Sequence, residues 1–404
     1  MICAGVPGAS LGDADVTAPP RLARPGEVLF VREVRRRQLL ALPAARRQAL
    51  CGAADVRWRS VRAPTTVSRG RKGRLERFGW QVMRAAAAAF GADDRRARRH
   101  LLRLLDRWAK GRALTRWRGD PVRVAYDVDR LLLPTIVGWW LVREHPDVPA
   151  EVRARVDGWL DGLVARSVAF RAGLSPDRRV ARNNHALLGA SVAAAWGALT
   201  DEPALLRRAL AVHRAALATM RADGSLPLET ARGARALWYQ RHALSSLVVI
   251  DTIAAVQGLD AGAGLPPDRD LHRAVRFLLD AVADPRRVLS YALANVRPGP
   301  ARNPYVQDLS FLRRRPTGRH YMAWAEIYLA RFPTRTESRR LAATLAAHGP
   351  EVRPMIDEYG GGHLTCFFAD PDRDPFSASS TRSRDSVPSG PDRESPRTSA
   401  PSGK

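Results

Sequence analysis

A chain of 404 residues, 45% of them hydrophobic, has ample material for one large core or two medium ones. No stretch approaches the roughly 20 apolar residues that cross a bilayer as a helix, so no integral membrane segment is expected. The 66 Lys and Arg against 40 Asp and Glu leave a formal charge of +26, which either is solvated surface or serves an anionic partner such as an acidic polysaccharide, a nucleic acid or an acidic membrane surface.

Residues 1–25, rich in Gly, Ala, Pro and Asp, are expected to be poorly ordered, and the first residues lack the basic and apolar regions of a secretory leader. Residues 26–369 read as one continuous body. Apolar residues at three- and four-residue spacing predict helices over 75–90, 96–113, 121–142, 149–172, 184–199, 203–222, 234–257, 269–284, 320–331 and 336–348. Pro121, Pro146, Pro176, Pro203, Gly224, Pro227, Gly258, Pro266 and Pro333 punctuate them. Asp201, just before Pro203, is expected to cap the helix that follows. Only the piece Gly361–Phe368 reads as strand. Residues 370–404, almost entirely Ser, Pro, Arg, Asp and Gly, are expected to be a disordered tail. The body is therefore all-α, with ten to twelve helices in hairpin pairs. No fixed-period repeat supports a solenoid, and an (α/α) toroid or incomplete barrel fits better. The three cysteines, Cys3, Cys51 and Cys366, match no metal spacing and allow at most one disulfide between distant partners.

Two segments carry chemistry. Asn183-Asn184-His185 stands at the start of an apolar helix, where an Asn is ordinarily a cap and a His ordinarily structural. Further on, Gly224-Ser225-Leu226-Pro227-Leu228-Glu229 leads to Arg232 and, seven residues later, Tyr239. At 3.6 residues per turn these two share a face if the helix extends back to Arg232.

Together these segments resemble the alginate lyase family, the mannuronate-type polysaccharide lyases of the α/α-toroid class. Members carry Asn-Asn-His at the start of an inner helix, then a Gly-x-Leu-Pro-x-Glu loop, an Arg and, seven residues on, a Tyr. Here these are Asn183-Asn184-His185, Gly224–Glu229, Arg232 and Tyr239, with the run Arg235-Ala236-Leu237-Trp238-Tyr239. Tyr359-Gly360-Gly361-Gly362-His363-Leu364-Thr365-Cys366-Phe367-Phe368 looks like the family's closing piece, and Tyr321–Glu326 like its last long helix.

The resemblance implies β-elimination on a 1,4-linked uronic acid polymer, with no metal or other cofactor. Asn184 and Arg232 would neutralise the carboxylate beside the C5 proton, one as a neutral donor and the other as a planar charged fork. His185 would take that proton near neutral pH, and Tyr239 would donate to the leaving oxygen. For the opposite C5 epimer, Tyr239 could serve as both base and acid. Asn183 reads as a cap. The resemblance further implies a monomer in the periplasm or outside the cell.

The chain departs from the family at several places. Leu188 stands three residues after the motif His, where the family often has Trp. Gln240 follows the motif Tyr in place of a common His, with His242 two residues on. The loop Ser68-Arg69-Gly70-Arg71-Lys72-Gly73 occupies the place of a family loop bearing Lys and an aromatic residue, but has no Tyr. Lys72, Arg69, Arg235 and Arg314 are candidate contacts for substrate carboxylates, although Arg69 and Lys72 also read as a solvated basic loop. Trp139-Trp140 and Trp117 could stack on sugars, though a double Trp in an apolar helix is more often core. Asp127 and Asp129 look like ordinary surface acids. A glycosidase would need two carboxyls facing one bond, and nothing marks such a pair beyond Glu229 and Glu326. Nucleic acid is not expected as a partner, since no reading motif accompanies the charge. A non-catalytic binder of acidic polysaccharide is the remaining alternative.

Overall fold

The computed structural model describes residues 21–68, 72–294, 303–349 and 351–376, with Lys72 placed only as the first residue of a helix. Fifteen α-helices stand among the described residues: α1 (Arg32–Leu40), α2 (Ala44–Cys51), α3 (Lys72–Gly91), α4 (Arg95–Lys110), α5 (Pro121–Val142), α6 (Ala150–Ala172), α7 (Asn184–Thr200), α8 (Pro203–Ala218), α9 (Pro227–Thr230), α10 (Ala236–Val256), α11 (Leu271–Ala283), α12 (Arg286–Ala292), α13 (Trp324–Arg331), α14 (Thr336–His348) and α15 (Leu364–Phe368). Two small two-stranded sheets accompany them. β1 (Thr66–Val67) runs parallel to β2 (Arg116–Trp117), and β3 (Ile356–Asp357) antiparallel to β4 (Gly362–His363).

Helix pairing follows the chain: α3 packs on α4, α5 on α6, α7 on α8, α10 on α11 and α13 on α14. One member of each pair also touches its counterparts in the neighbouring pairs, giving an inner series α3–α5–α7–α10–α13. The sequence dictates which member goes inside. Helices α5, α7 and α10 are apolar nearly all round and are buried along most of their length, as a helix covered on every side must be. Helix α4 carries Arg95, Arg96, Arg99 and Arg103 on one face and buries Leu101, Leu104, Leu105 and Trp108 on the other, as an outer helix does. This is the expected α/α toroid.

The ring closes through the C-terminal piece. Helix α15 and β4 lie against α3, and α15 also packs on α13 and α2. Cys51 at the end of α2 and Cys366 in α15 form a disulfide with a Cα–Cα distance of 4.7 Å across 315 residues. Gly91 makes room for it: a Cβ there would lie 2.3 Å from Cys51 Sγ.

Several expectations change. Residues 21–25 are placed against the body: Leu22 is buried, Ala23 N–H donates to Gln257 O, and Gln257 Nε2 donates to Arg24 O. The tail's first residues are also placed, with Phe376 beneath the Arg353 guanidinium. Residues 1–20 and 377–404, and with them Cys3, lie outside the described residues. Asp201 does not cap α8. It ends α7 in the left-handed region (φ 59°), and Glu202 precedes Pro203 instead. The piece 361–368 is mostly helical, because only Gly362 and His363 find a strand partner. Asp129 is not a surface acid. It is fully buried, accepts from Ser167 Oγ at 2.6 Å and pairs with Arg171. Trp139 and Trp140 are core, with Trp139 Nε1 donating to Asp157 at 2.7 Å.

Candidate active site

The N-terminus of α7, the α9–α10 connection and the β3–β4 turn meet at one end of the inner helices. Asn183 has extended backbone and its side-chain oxygen accepts from His185 N–H at 3.0 Å, so it is a helix cap. This fixes the next two side chains. Asn184, only 1% exposed, hydrogen-bonds through Nδ2 to His242 Nδ1 at 3.1 Å. His185 stacks on the Tyr126 ring of α5, with centroids 4.4 Å apart. The Tyr126 and Tyr359 hydroxyls are hydrogen-bonded, and the Tyr359 ring lies 4.1 Å from that of His242.

Arg232 and Tyr239 are paired by a route other than the shared helix face. Helix α10 starts only at Ala236, after a 3-10 turn over Gly233–Arg235. The Arg232 guanidinium nevertheless lies over the Tyr239 ring, 3.6 Å from its centroid. Tyr239 in turn faces the His242 ring at 6.3 Å, one helical turn along. The four residues expected to act together thus form one connected group, linked through Tyr126, His242 and Tyr359. A cleft of about 260 Å3 opens beside them, lined by Arg178, Arg179, Val180, Asn183, His185, Leu228 and Arg232.

The departure at Gln240 acquires a reason. This fully buried amide accepts from Leu226 N–H at 2.9 Å and donates to Gly224 O at 3.1 Å. It thereby pins the loop that delivers Glu229 and Arg232. Gly224 has φ +97° and a Cβ there would lie 2.3 Å from Arg273 O, so only glycine makes this turn. Two further arginines support the β3–β4 turn. Arg130 binds Glu358, and Arg319 binds Asp357 at 2.8 Å and Glu358 at 3.0 Å, with both guanidinium groups near the Tyr359 ring.

Burial sets the protonation states. Desolvation, reinforced by Arg241 and His185, pulls His242 well below the ordinary histidine range, so it is neutral. With the Asn184 amide donating to Nδ1, its proton sits on Nε2. Desolvation pushes Tyr126 and Tyr359 up, keeping both phenols protonated. Glu229 Oε1 accepts from Asn184 N–H at 2.6 Å, while Oε2 has no partner. Burial raises this carboxyl from 4.5 to about 7, against the pull of Arg232 and the Asn184 N–H. A group whose folded pKa is raised stabilises the fold below its unfolded pKa and loses that contribution as pH rises through the folded value. Glu229→Gln is therefore expected to gain on the parent between pH 4.5 and 7, by about 3 kcal/mol. Parallel denaturant titrations across that range check it; a constant difference between the two proteins would refute it.

The other candidate contacts do not gather here. Arg69 and the Lys72 side chain lie outside the described residues. Arg235 faces Asp308 at 3.8 Å and the Trp238 ring. Arg314 pairs with Glu351 in a separate basin. Trp117 sits under Arg166. Glu326 is held by Arg353 at 2.7 and 2.9 Å and by Thr365 at 2.8 Å, which commits it to structure and removes the carboxyl pair a glycosidase would use. Tyr126, Arg130 and Arg319 stand in stretches of sequence that mark no site, and His242 is marked in the sequence only as a histidine near the motif Tyr. Only His242 carried a signal, standing three residues after Tyr239 on the same helix face.

Comparisons with known proteins bear on this arrangement. A family model described as alginate lyase matches residues 52–288. A polysaccharide lyase of Stenotrophomonas maltophilia (strain K279a) is 29% identical over 294 residues, covering 72% of this chain and 78% of that protein. The crystal structure of alginate lyase A1-III from Sphingomonas species A1 superposes with a TM-score of 0.70 at 23% identity, over 87% of this chain and 98% of that one. A variant of A1-III with one histidine changed to alanine, complexed with a tetrasaccharide, gives 0.72 at 21% identity, over 87% and 97% of the two chains.

Proposed function

Because the chain belongs to the alginate lyase family, and so to the polysaccharide lyases, we propose that its cleft cuts alginate or a related 1,4-linked polyuronate by β-elimination, with Asn184, His185, Arg232 and Tyr239 as its working groups. The carrying observation is their convergence from separate segments beside an arginine-lined cleft. Binding of a tetrasaccharide by an A1-III variant of the same fold supports a sugar chain as the ligand.

The chemistry assigns each group. A C5 proton next to a carboxylate is weakly acidic, because the carbanion would sit beside a negative charge. The Arg232 guanidinium neutralises that carboxylate. The Asn184 amide spends one N–H on His242 and keeps the second for a carboxylate oxygen. Preorganised donors of this kind are worth on the order of 10²–10³ in rate each. His185 takes the C5 proton. The freed electron pair becomes the C4–C5 double bond as the C4–O bond breaks, and Tyr239 protonates the departing oxygen. His242, neutral and tied to Asn184, orients the amide rather than moving a proton.

Purified protein mixed with polymannuronate is expected to raise the ultraviolet absorbance of the new double bond. No rise across a panel of polyuronates would overturn the reading. The Cys51–Cys366 disulfide supports a site of action in the periplasm or outside the cell, since such bonds persist in oxidising compartments. A monomer suffices for the proposed chemistry, because every working group comes from one chain.

A further inference from the structure

A second basin, of about 780 Å3, shares no lining residue with the His185 cleft. Six arginines wall it: Arg57 and Arg59 from the segment before β1, Arg77 and Arg84 from α3, and Arg314 and Arg315 from the loop before α13. Its single lining carboxylate, Asp55, is taken by Arg84, and Arg314 is paired outside the lining with Glu351. Arg57, Arg59 and Arg77 are exposed and have no ion-pair partner among the described residues. Arginines such as Arg98 and Arg276 elsewhere in the fold are matched, by Asp147 and Glu337. Massing unmatched cations in one concavity costs self-repulsion that an anionic ligand would relieve.

Trp80, half-buried, lies among these arginines, with Arg84 over its ring at 5.8 Å. Gly318, at φ +86°, lets the 313–319 loop rest on that ring, since a Cβ would come within 2.9 Å of Trp80 Cη2. The next residue, Arg319, packs over Tyr359 in the active site at 5.0 Å. One loop therefore borders both places.

We propose that this basin is a second binding site for the acidic polysaccharide, holding a run of uronate residues away from the bond being cut. This rests on the polyuronate reading above. Arginine forks suit carboxylates, an aromatic ring suits the apolar face of a sugar, and the volume lies within the roughly 300–1,000 Å3 of sites that enclose small ligands. A nucleic acid would instead call for a cationic stripe following a phosphate backbone.

The test is the double variant Arg77→Ala/Arg315→Ala, two exposed side chains outside the catalytic group, with circular dichroism as the check on folding. On a mannuronate tetramer its kcat and KM are expected to match the parent. On long polymannuronate KM is expected to rise about ten-fold with kcat unchanged, the mark of binding lost equally from ground and transition states. Calorimetric titration of polymannuronate into His185→Ala protein, with and without the two changes, is expected to show the same loss of affinity, shrinking as salt is raised. Equal impairment on the tetramer would make the basin part of the catalytic cleft and overturn the proposal. So would an unchanged polymer affinity, or an equal loss for a DNA oligomer of matched charge. If the parent cleaves no polyuronate, the functional reading fails, yet the calorimetric comparison still decides the basin.

Discussion

Replacing His185 by alanine is expected to lower kcat on polymannuronate by at least about 10²–10⁴, the worth of a positioned general base, while polymer affinity is retained. The expectation follows from where the ring sits. It faces the arginine-lined cleft and is oriented by a stack on Tyr126. Its backbone N–H is held by the Asn183 cap. Because alanine also removes the stacking surface, His185→Phe is the needed companion: it keeps a ring against Tyr126 and removes only the nitrogen. Both variants are expected to fall together, and added imidazole is expected to restore part of the His185→Ala rate. Tyr239→Phe, which keeps the ring under Arg232 but removes the hydroxyl, is expected to lose a comparable factor. Absorbance-based initial rates measure all of these. A His185→Phe protein within ten-fold of the parent would show that the imidazole moves no proton in the rate-determining step.

Inner helices α5 and α10 were readable because burial on all sides leaves a largely apolar record, as in Leu131–Leu141 and Leu244–Val256. The outer ones were readable from their two-faced pattern. What escaped were elements made by tertiary contact. Helices α1, α2 and α12 are short and rich in arginine, so their apolar spacing is faint. The same limit applied within the site. Asn184, His185, Arg232 and Tyr239 were legible through motif order. The closeness of Arg232 to Tyr239 was inferred from a helical spacing that the chain does not use. Tyr126 and Arg130 sit in ordinary helical sequence, and only folding brings them against His185 and Glu358. Asp129 looked like a surface acid because its partners, Ser167 and Arg171, lie on the next helix. A carboxylate paired across two helices leaves no trace in the local pattern of either one.

Acid is expected to unfold this protein well above the pH at which most carboxylates protonate. His213 and His320 are buried, and desolvation draws each from 6.5 to about 4; His363 is drawn to about 3. For a group with a lowered folded pKa, the unfolded chain binds the proton first. Stability therefore drains away as pH falls below the unfolded value of 6.5, and the loss is complete once pH passes the folded value. At 1.36 kcal/mol per unit this amounts to about 3 kcal/mol each for His213 and His320 and nearly 5 for His363. Glu229 works in the opposite direction over the same window, but contributes only about 3 kcal/mol. The histidines win, and their surplus is a large part of the roughly 5–15 kcal/mol that holds a domain folded. Geometry says where the failure begins. His363 Nδ1 accepts from Cys366 N–H, and His320 Nδ1 accepts from Met322 N–H, both at 3.2 Å. Protonating either nitrogen turns an acceptor into a donor facing a donor. His363 and Cys366 belong to the segment that bridges α13 and α3, so the ring opens where its closure is weakest in acid. Tryptophan fluorescence and far-ultraviolet circular dichroism from pH 7 to 3.5 are expected to show a cooperative transition between pH 4 and 5.5. In His213→Leu, which carries no proton at that position, the midpoint is expected to move to lower pH. Equal stability of the parent at pH 4.5 and pH 7 would overturn the expectation that burial keeps these imidazoles from taking a proton in the folded state.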